Sequence, residues 1–360
     1  MKTETRLKKC VEPLLLWYAG NRRVLPWRED PVPYHVWLSE IMLQQTRVEA
    51  AKGYYERFLA SLPDIPSLAA VPEDELLKLW EGLGYYNRAR NLKKAAGVIL
   101  AQYGGEMPAS YEELLALPGI GEYTAGAIAS IAFKLPCAAV DGNVLRVCAR
   151  LLADDTDISD PALKKTRKAE LENIMPADRP ASFNQALMDL GAMICVPNGA
   201  PRCGDCPLSS HCLAKRLKCQ DSLPVKKAQK ARKIQDRTVF VIRYRDRVLL
   251  HKRPPKGLLA GLYELPSAEG HLARPEALSH VRILGFVPLH IEELPESRHV
   301  FSHLEWRMKA YLVRADELCS PDAPGEDYLL KTPQAVSGEC SIPSAFSAYA
   351  PYIKADVTKQ

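Results

Sequence analysis

The spacing of apolar residues changes once along the 360-residue chain, near residue 215. Before that point they recur at three- and four-residue steps, as in residues 36–48 and 76–80, and prolines or glycines interrupt the pattern. This periodicity is typical of amphipathic helices. After that point, short runs rich in β-branched residues predict strands at residues 238–244, 247–251, 281–289 and 308–313. The sequence therefore predicts an all-α domain followed by a small α/β domain.

The formal net charge of +5 is distributed unevenly along the chain. Residues 213–256 hold 15 Lys and Arg against 3 Asp and Glu, a net charge of +12, whereas the parts on either side are net negative. Within this stretch, residues 217–234 are polar and predict a basic linker between domains at 1–216 and 235–356. This segment either contacts nucleic-acid phosphates or is a solvated tether, and the sequence leaves both roles open.

Two classes of protein can be set aside from the sequence. No charge-free stretch reaches the roughly 18 apolar residues that a membrane-spanning helix needs, and the N-terminus has no signal-peptide pattern. We therefore expect a cytosolic protein that does not enter a membrane. In a reducing compartment its ten cysteines are expected to be free of disulfides.

Four of the ten cysteines lie close together, with the spacing C-x7-C-x2-C-x5-C. They are Cys195, Cys203, Cys206 and Cys212. Thiolates are soft ligands, and four of them in one short loop suit an iron–sulfur cluster. The paired symmetry of zinc ribbons is absent from this spacing, but zinc and free thiols are alternatives. With all ligands supplied by the protein and no redox motif nearby, we expect a structural or docking role for the cluster.

A glycine-bearing turn that opens a helix lies within residues 112–133. The run Leu117-Pro118-Gly119-Ile120-Gly121 precedes a helix of small residues. Glycines allow close approach of backbone N–H groups to a ligand, and a helix N-terminus favours an anion such as phosphate. A plain interhelical turn is the alternative.

Several motifs together resemble the helix-hairpin-helix DNA glycosylase superfamily of endonuclease III. They are residues 117–126, residues 140–144 (VDGNV) and the four cysteines. More narrowly, residues 25–28 (LPWR), 39–48 (SEIMLQQTRV), 82–92 (GLGYYNRARNL) and 301–303 (FSH) look like MutY-type adenine DNA glycosylases. The resemblance covers nearly the whole chain. One departure is visible: the family usually has six residues between its first two cluster cysteines, whereas this chain has seven.

The resemblance implies catalytic roles for four residues. Glu40 would protonate the adenine and later handle the attacking water, and Asp141 would stabilise the cationic sugar or bond to it briefly. Asn143 would help to hold the side of the site that carries the acid. Relatives that also cleave the strand have a lysine where this chain has Tyr123, so glycosylase-only action is expected. The ordinary alternatives are an exposed helix charge for Glu40, a helix N-cap for Asp141 and a packed aromatic for Tyr123.

The resemblance also implies the DNA-binding residues and the partners. The expected DNA-binding residues are Trp27 and Arg28 at the adenine, Gln45, Thr46, Leu83 and Tyr85 at the opened duplex, Gly119 and Gly121 at the backbone, and Phe301, Ser302 and His303 at the opposite base. The expected partner is double-stranded DNA with adenine opposite 8-oxoguanine or guanine, and the expected cofactor is a 4Fe-4S cluster at the four cysteines. The expected location is cytoplasmic and nucleoid-associated, in a bacterium.

The C-terminal domain resembles a Nudix-like fold through residues 261–266 (GLYELP). Nudix hydrolysis requires an R-E-x-x-E-E helix that holds Mg²⁺, and residues 267–280 contain no such run. Lesion recognition rather than pyrophosphate hydrolysis is therefore expected. A DNA-binding module without catalysis and a glycosylase with strand-cleaving activity are the competing functions.

Overall fold

The computed structural model describes residues 3–227, 231–319 and 325–354. The chain divides into two compact units. The first comprises Met1–Val71 and Arg90–Ala228, and the second comprises Pro72–Ala89 and Gln229–Gln360. Residues 72–89 therefore pack with the C-terminal part of the chain, although their apolar spacing is continuous with the helical part. Of the predicted basic linker, residues 228–230 lie outside the described residues.

Ahead of residue 218, the described chain forms helices. In chain order they are α1 (Thr3–Asn21), α2 (Pro26–Glu29), α3 (Pro33–Leu43), α4 (Val48–Ser61), α5 (Ile65–Ala70), α6 (Glu73–Leu79), α7 (Asn87–Tyr103), α8 (Tyr111–Ala116), α9 (Glu122–Ile131), α10 (Gly142–Leu152), α11 (Pro161–Ile174), α12 (Pro180–Met193) and α13 (Leu213–Leu217). Several begin at a proline, whose fixed φ suits the first helical position. Side chains cap others: Asp64 accepts a bond from the Ser67 amide at 2.8 Å. The predicted all-α domain is confirmed.

The predicted helical hairpin is formed by α8 and α9. Gly119 in the turn has φ +77°, and a Cβ there would stand 2.6 Å from the Cβ of Asn91. On α9, a Cβ at Gly126 would stand 2.5 Å from the carbonyl oxygen of Ala138. Because position 126 carries no side chain, α9 lies directly against the segment that leads into Asp141.

The C-terminal unit contains a mixed sheet. Its strands are β1 (Lys233–Tyr244), β2 (Arg247–Lys252), β3 (Tyr263–Glu264), β4 (Ser267–Glu269), β5 (Phe286–Val300), β6 (Leu304–Leu318) and β7 (Tyr328–Lys331). The order is β3-β2-β1-β6-β5, with β4 paired to β1 and β7 paired to β2. Strands β1 and β6 are parallel, and the other pairs are antiparallel. The predicted α/β character of this part is confirmed.

Both faces of the sheet are covered. Helix α14 (Arg274–Ile283) packs on the face that carries Phe240 and Ile242. The other face, which carries Val239 and Val241, packs against α15 (Pro333–Glu339), a 3₁₀ helix (Ser344–Tyr349) and α16 (Ala350–Lys354). Two-sided burial explains why β1 is a continuous apolar run rather than an alternating one.

The predicted strand at residues 281–289 is wrong in its first part. Val281 is fully buried on α14, and the helix ends at Ile283. Gly285, with φ +92°, redirects the chain, and β5 begins at Phe286. Because short apolar runs fit either a buried helix turn or a strand, the pattern alone could not separate the two.

Within the described residues, no helix is both long enough and apolar enough to cross a membrane.

Candidate active site

A cavity of about 960 Å³ in the helical unit gathers most of the predicted catalytic and adenine-binding residues. Those lining it are Trp27, Arg28, Glu40, Gln45, Thr46, Tyr123, Asp141 and Asn143. They come from α2, α3, the chain after α3, α9 and the start of α10. The cavity therefore brings together residues that are distant in sequence, at the junction of five chain segments.

Glu40 lies on α3 and is 6% exposed. Its Oε2 atom accepts a hydrogen bond of 2.5 Å from the Tyr123 hydroxyl. The alternative of an exposed helix charge is thus wrong for Glu40. Tyr123 is partly buried with its hydroxyl against the carboxyl group, which is a more specific arrangement than a packed core aromatic.

The environment of Glu40 favours its protonated form. Burial raises the pKa of Glu40 to about 7. The hydrogen bond from Tyr123 opposes this shift, the negative charge of Asp141 adds to it, and the positive charge of Arg28 opposes it. A carboxyl group whose pKa is near neutrality can donate a proton at physiological pH and take one back.

Asp141 lies at the N-cap of α10. Its Oδ1 atom accepts a bond of 2.8 Å from the Val144 amide, and its Oδ2 atom accepts one of 2.8 Å from the Asn143 side chain. Burial raises the pKa of Asp141 above its ordinary value, while these hydrogen bonds act in the opposite direction because they stabilise the anion. Asp141 is therefore a helix cap and a cavity-lining carboxyl group at once.

Arg146, one turn further along α10, connects Asn143 to the chain next to the cysteines. Its Nη2 atom donates to the Asn143 side-chain oxygen at 2.8 Å and to the carbonyl of Gly191 at 2.7 Å. Its Nε atom donates to the carbonyl of Cys195 at 2.8 Å. No sequence motif indicated a role for Arg146, because an arginine on an amphipathic helix ordinarily faces solvent.

Asp189 also has a role that no sequence motif indicated. This fully buried residue on α12 accepts bonds of 2.7 and 3.0 Å from Arg28, and bonds of 2.6 and 3.2 Å from the side chain and the amide of Arg23. Burial alone would raise its pKa, but the bonds and charges of the two arginines lower it below the ordinary value. An acidic residue within the apolar run of residues 186–194 was the available signal. Asp189 fixes the guanidinium of Arg28 at the cavity.

Gln45 and Thr46 have unusual local structure. Gln45 is exposed with φ +60°, a conformation that residues other than glycine rarely adopt. The Thr46 hydroxyl is buried and has no hydrogen-bond partner among the described residues. Strained backbone and an unsatisfied polar group are both typical of sites that bind a ligand.

Leu83 and Tyr85 belong to the C-terminal unit rather than to the unit that holds the cavity. Their loop has positive φ at Gly82 (+99°), Gly84 (+69°) and Tyr85 (+48°). Tyr85 is 51% exposed, whereas Leu83 is 7% exposed. The loop therefore presents the tyrosine ring, and the leucine side chain is buried beneath it.

Phe301, Ser302 and His303 form the turn between β5 and β6. The turn is closed by a bond of 2.8 Å from the Phe301 amide to the Leu304 carbonyl. The Phe301 ring packs edge-on against Trp306, with centroids 4.8 Å apart. Ser302 and His303 are exposed, with the hydroxyl 3.3 Å from Nδ1. Phe301 is the anchor of the turn, and the other two side chains are available to a ligand.

The four predicted cysteine ligands line one cavity, together with Arg150. Arg150 Nη1 donates to the Cys195 sulfur at 3.3 Å, and Cys212 donates to the Arg150 carbonyl at 3.4 Å. Among the described residues, no group of three or more His, Cys, Asp or Glu side chains is arranged to hold a metal ion. Four thiols facing one space still fit the donor set of an iron–sulfur cluster.

Comparison with known proteins decides the family. Residues 38–175 match the HhH-GPD superfamily of base excision DNA repair proteins, and residues 238–349 match the NUDIX domain. The chain is 37% identical to an adenine DNA glycosylase of Buchnera aphidicola subsp. Baizongia pistaciae, over 81% of this chain and 82% of the relative. It is 34% identical to the adenine DNA glycosylase of Mus musculus, over 86% and 72%. The chain belongs to the adenine DNA glycosylase family.

Solved structures agree with the helical half of this glycosylase. A thermostable thymine-DNA glycosylase superposes with a TM-score of 0.55 and 31% identity, covering 60% of this chain and 99% of that one. An endonuclease III in a non-covalent complex with DNA superposes with a TM-score of 0.52 and 26% identity, covering 61% and 99%. The resemblance stated from the motifs is confirmed, and the enzyme is a DNA N-glycosylase of base excision repair.

In this glycosylase the cavity holds two carboxyl groups in different environments. Burial raises the pKa of both groups, to about 7 for Glu40. For Asp141, the bonds from Val144 and Asn143 oppose that shift because they stabilise the anion.

Proposed function

We propose that the protein hydrolyses the N-glycosidic bond of adenine paired with 8-oxoguanine or guanine in double-stranded DNA, without cleaving the strand. The observation that carries this proposal is the pair of Glu40, with its pKa raised to about 7, and Asp141 in one cavity. Its setting is base excision repair in the bacterial cytoplasm, consistent with the bacterial relatives.

Two carboxyl groups account for the bond cleavage. Glu40 gives its proton to a ring nitrogen of the extruded adenine, the C–N bond breaks, and its electron pair leaves with the base. The sugar becomes an oxocarbenium ion, and the Asp141 carboxylate stabilises its positive charge. Water then attacks the anomeric carbon, and Glu40 accepts the proton of that water. The products are free adenine and an abasic site.

Tyr123 supports hydrolysis without strand cleavage. Its hydroxyl is bound to Glu40, and a phenol cannot form the Schiff base through which an amine cleaves the strand. Lys164 also lines the cavity, so an amine is present elsewhere on its wall. Borohydride trapping decides the point: no covalent complex is expected, and trapping that disappears in a Lys164→Ala variant would contradict the proposal.

Recognition of the opposite base is assigned to the turn of Phe301, Ser302 and His303, with Ser302 as the most specific contact. The exposure of its hydroxyl, on a turn anchored by Phe301, supports this assignment. Gln45 and Thr46 in the helical unit and Tyr85 in the C-terminal unit would enter the duplex around the mispair. The strained backbone at Gln45 and Tyr85 supports these roles.

Contact with the DNA backbone is assigned to the hairpin turn at Gly119 and Gly121. The amides at the N-terminus of α9 would bind a phosphate, and this contact positions the enzyme without reading sequence. The left-handed conformation at Gly119 and its close approach to Asn91 support a turn shape that other residues cannot adopt.

Cys195, Cys203, Cys206 and Cys212 would hold a 4Fe-4S cluster. Their common cavity supports this, and the seven residues between the first two cysteines lengthen only the first loop. When bound, the cluster would fix the fold of residues 195–212 and take no part in the bond cleavage. Arg146 and Arg150 would join that loop to α10 and so to Asp141.

One set of single-turnover assays tests the function. Duplexes with adenine opposite 8-oxoguanine, guanine and cytosine are incubated with the enzyme, and abasic sites are revealed by alkali. Excision is expected from the first two duplexes, and a Glu40→Gln variant should lose about 10²- to 10⁴-fold in rate while retaining duplex binding. Unchanged excision by that variant would contradict the catalytic assignment.

A further inference from the structure

Residues 72–89 leave the helical unit after Val71 and return to it at Arg90. Between these points the chain forms α6 and the loop that presents Tyr85, and both pack with the C-terminal unit. The Lys93 side chain, in the helical unit, binds the Val71 carbonyl at 2.5 Å. Lys93 therefore fixes the chain just before residue 72. From there to residue 89 the chain packs with the unit that carries the Ser302 turn.

The N-terminal turn of α6 is bound by two strands of the sheet. Asp74 accepts bonds of 2.8 and 3.0 Å from the Lys252 ammonium on β2, and one of 3.2 Å from the Tyr263 hydroxyl on β3. The Lys252 nitrogen also lies 5.0 Å from the centre of the Tyr263 ring. The Asp74 carboxylate therefore accepts bonds from two donors, Lys252 and Tyr263, which also contact each other.

The C-terminal end of α6 is bound by the chain that follows α15. The Lys78 ammonium donates to the Cys340 carbonyl at 3.0 Å, and the Glu81 carboxylate accepts a bond of 2.8 Å from the Ile342 amide. Lys78 and Glu81 also pair with each other at 2.7 Å. These bonds engage backbone groups, so they fix α6 in register as well as in place.

The loop after α6 is braced internally up to Tyr85. The fully buried Trp80 donates to the Gly84 carbonyl at 3.1 Å, and Arg88 donates to the Leu83 and Gly84 carbonyls at 2.9 and 3.1 Å. The Arg88 guanidinium lies 5.3 Å from the Trp80 ring and 5.8 Å from the Tyr85 ring. A displacement of α6 would therefore be transmitted to Tyr85.

We propose that the C-terminal unit sets the position of Tyr85 on the duplex, with Asp74, Lys78, Glu81 and Lys252 as positioning residues for its insertion. The inference rests on the proposed function, in which Tyr85 enters the DNA. Its consequence is that one unit both reads the opposite base, through Ser302, and opens the duplex beside it. Recognition and extrusion of adenine are then coupled without any change in the cavity that holds Glu40.

A double-mutant cycle tests this coupling. The released variant, which loses one side chain that binds each end of α6, combines Lys252→Met with Glu81→Met. The matched control combines Lys309→Met with Glu293→Met, which removes an ion pair of 3.2 Å between β6 and β5 of the same unit. Extrusion is followed by the fluorescence of 2-aminopurine placed opposite 8-oxoguanine, in each variant with Tyr85 and with Tyr85→Ala.

The released variant should slow extrusion about 5- to 10-fold when Tyr85 is present and less than about 2-fold in the Tyr85→Ala background, since both changes act through one side chain. Lys252→Arg should retain most of the rate, and the control should match the wild type. An equal loss of extrusion rate in the Tyr85 and Tyr85→Ala backgrounds, or the same loss in the control, would overturn this inference and leave the proposed function intact. Normal extrusion by Tyr85→Ala itself would overturn the proposed role of Tyr85, and this inference with it.

Discussion

Gly191 lies directly against Asn143: a Cβ at position 191 would stand 2.6 Å from the Asn143 Cβ. The carbonyl of Gly191 also accepts a bond from Arg146, which holds the Asn143 side chain. Since Asn143 donates to Asp141, the missing side chain at position 191 allows α12 to pack against the residue that holds the Asp141 carboxylate.

A Gly191→Ala variant should therefore displace Asn143 and, through it, Asp141. Shifts of an ångström in a catalytic group cost about 10²-fold in rate, so we expect the single-turnover rate constant to fall by about 10- to 100-fold while the Kd for lesion duplex changes little. Single-turnover excision and a binding titration measure the two quantities. Gly97→Ala is the matched control, because an added Cβ meets nothing within 4 Å on an exposed face of α7. Equal losses by both variants would contradict this role.

The excision rate should depend on pH through Glu40. Because its pKa is raised to about 7 and the protonated form is the proton donor, the rate should fall as pH rises above about 7, approaching tenfold per unit. On the acid side, protonation of Asp141, whose pKa is raised above its ordinary value, should lower the rate again. A bell-shaped single-turnover profile is the expected measurement. A rate that stays constant from pH 6 to pH 9 would contradict donation by Glu40.

Glu40→Gln should make the protein more stable at alkaline pH. A carboxyl group with a raised folded-state pKa binds more protons folded than unfolded, so its ionisation destabilises the fold as pH rises from about 4.5 to about 7. The gap corresponds to about 3 kcal/mol. Chemical denaturation should show a gain approaching that size at pH 8 and little gain at pH 4. Equal differences at both pH values would show that the carboxyl group is not buried in this way.

Cys203→Ser tests the cluster. The wild-type protein should be brown, with visible absorbance from thiolate-to-iron charge transfer and with bound iron and sulfide in equal amounts. The variant should lose the absorbance. Stability should also fall, because the loop of residues 195–212 would lose its central ligand. Cys319→Ser, an exposed cysteine elsewhere in the chain, is the control. Zinc without iron on metal analysis would contradict the assignment.

Charge reversals in the basic linker separate its two proposed roles. Lys226 and Lys227 are exposed, and Lys230 lies outside the described residues. If all three bind phosphates, their replacement by Glu should reduce the slope of log K against log salt by about 0.9 for each phosphate that is no longer neutralised. Lesion-duplex binding between low and moderate salt gives this slope. An unchanged slope would favour a solvated tether.

The sequence was sufficient to predict the carboxyl pair through the resemblance of residues 39–48 and 140–144 to known DNA glycosylases, and both residues line the cavity. The sequence also indicated that Glu40 is not exposed, because apolar residues flank it. It was not sufficient to predict Asp189, since its partners Arg23 and Arg28 are more than 160 residues away along the chain. Contacts of that separation leave no periodic signal.

The assignment of residues 72–89 to the C-terminal unit could not be predicted for a similar reason. Their helical periodicity is the same as that of the helices before and after them. Periodicity indicates which face of a helix is buried, but it does not indicate which part of the chain packs on that face. Contacts such as those of Asp74 with Lys252 and of Glu81 with Ile342 identify the packing partner.

The parallel pairing of β1 with β6 fixes where the chain enters the sheet. Since parallel strands start at the same edge, β1 begins beside the turn of Phe301, Ser302 and His303, and the Lys233 amide binds the His303 carbonyl at 3.2 Å. The first residue of β1 and this turn therefore form one hydrogen-bonded element, in which a displacement of Lys233 would move the backbone of His303.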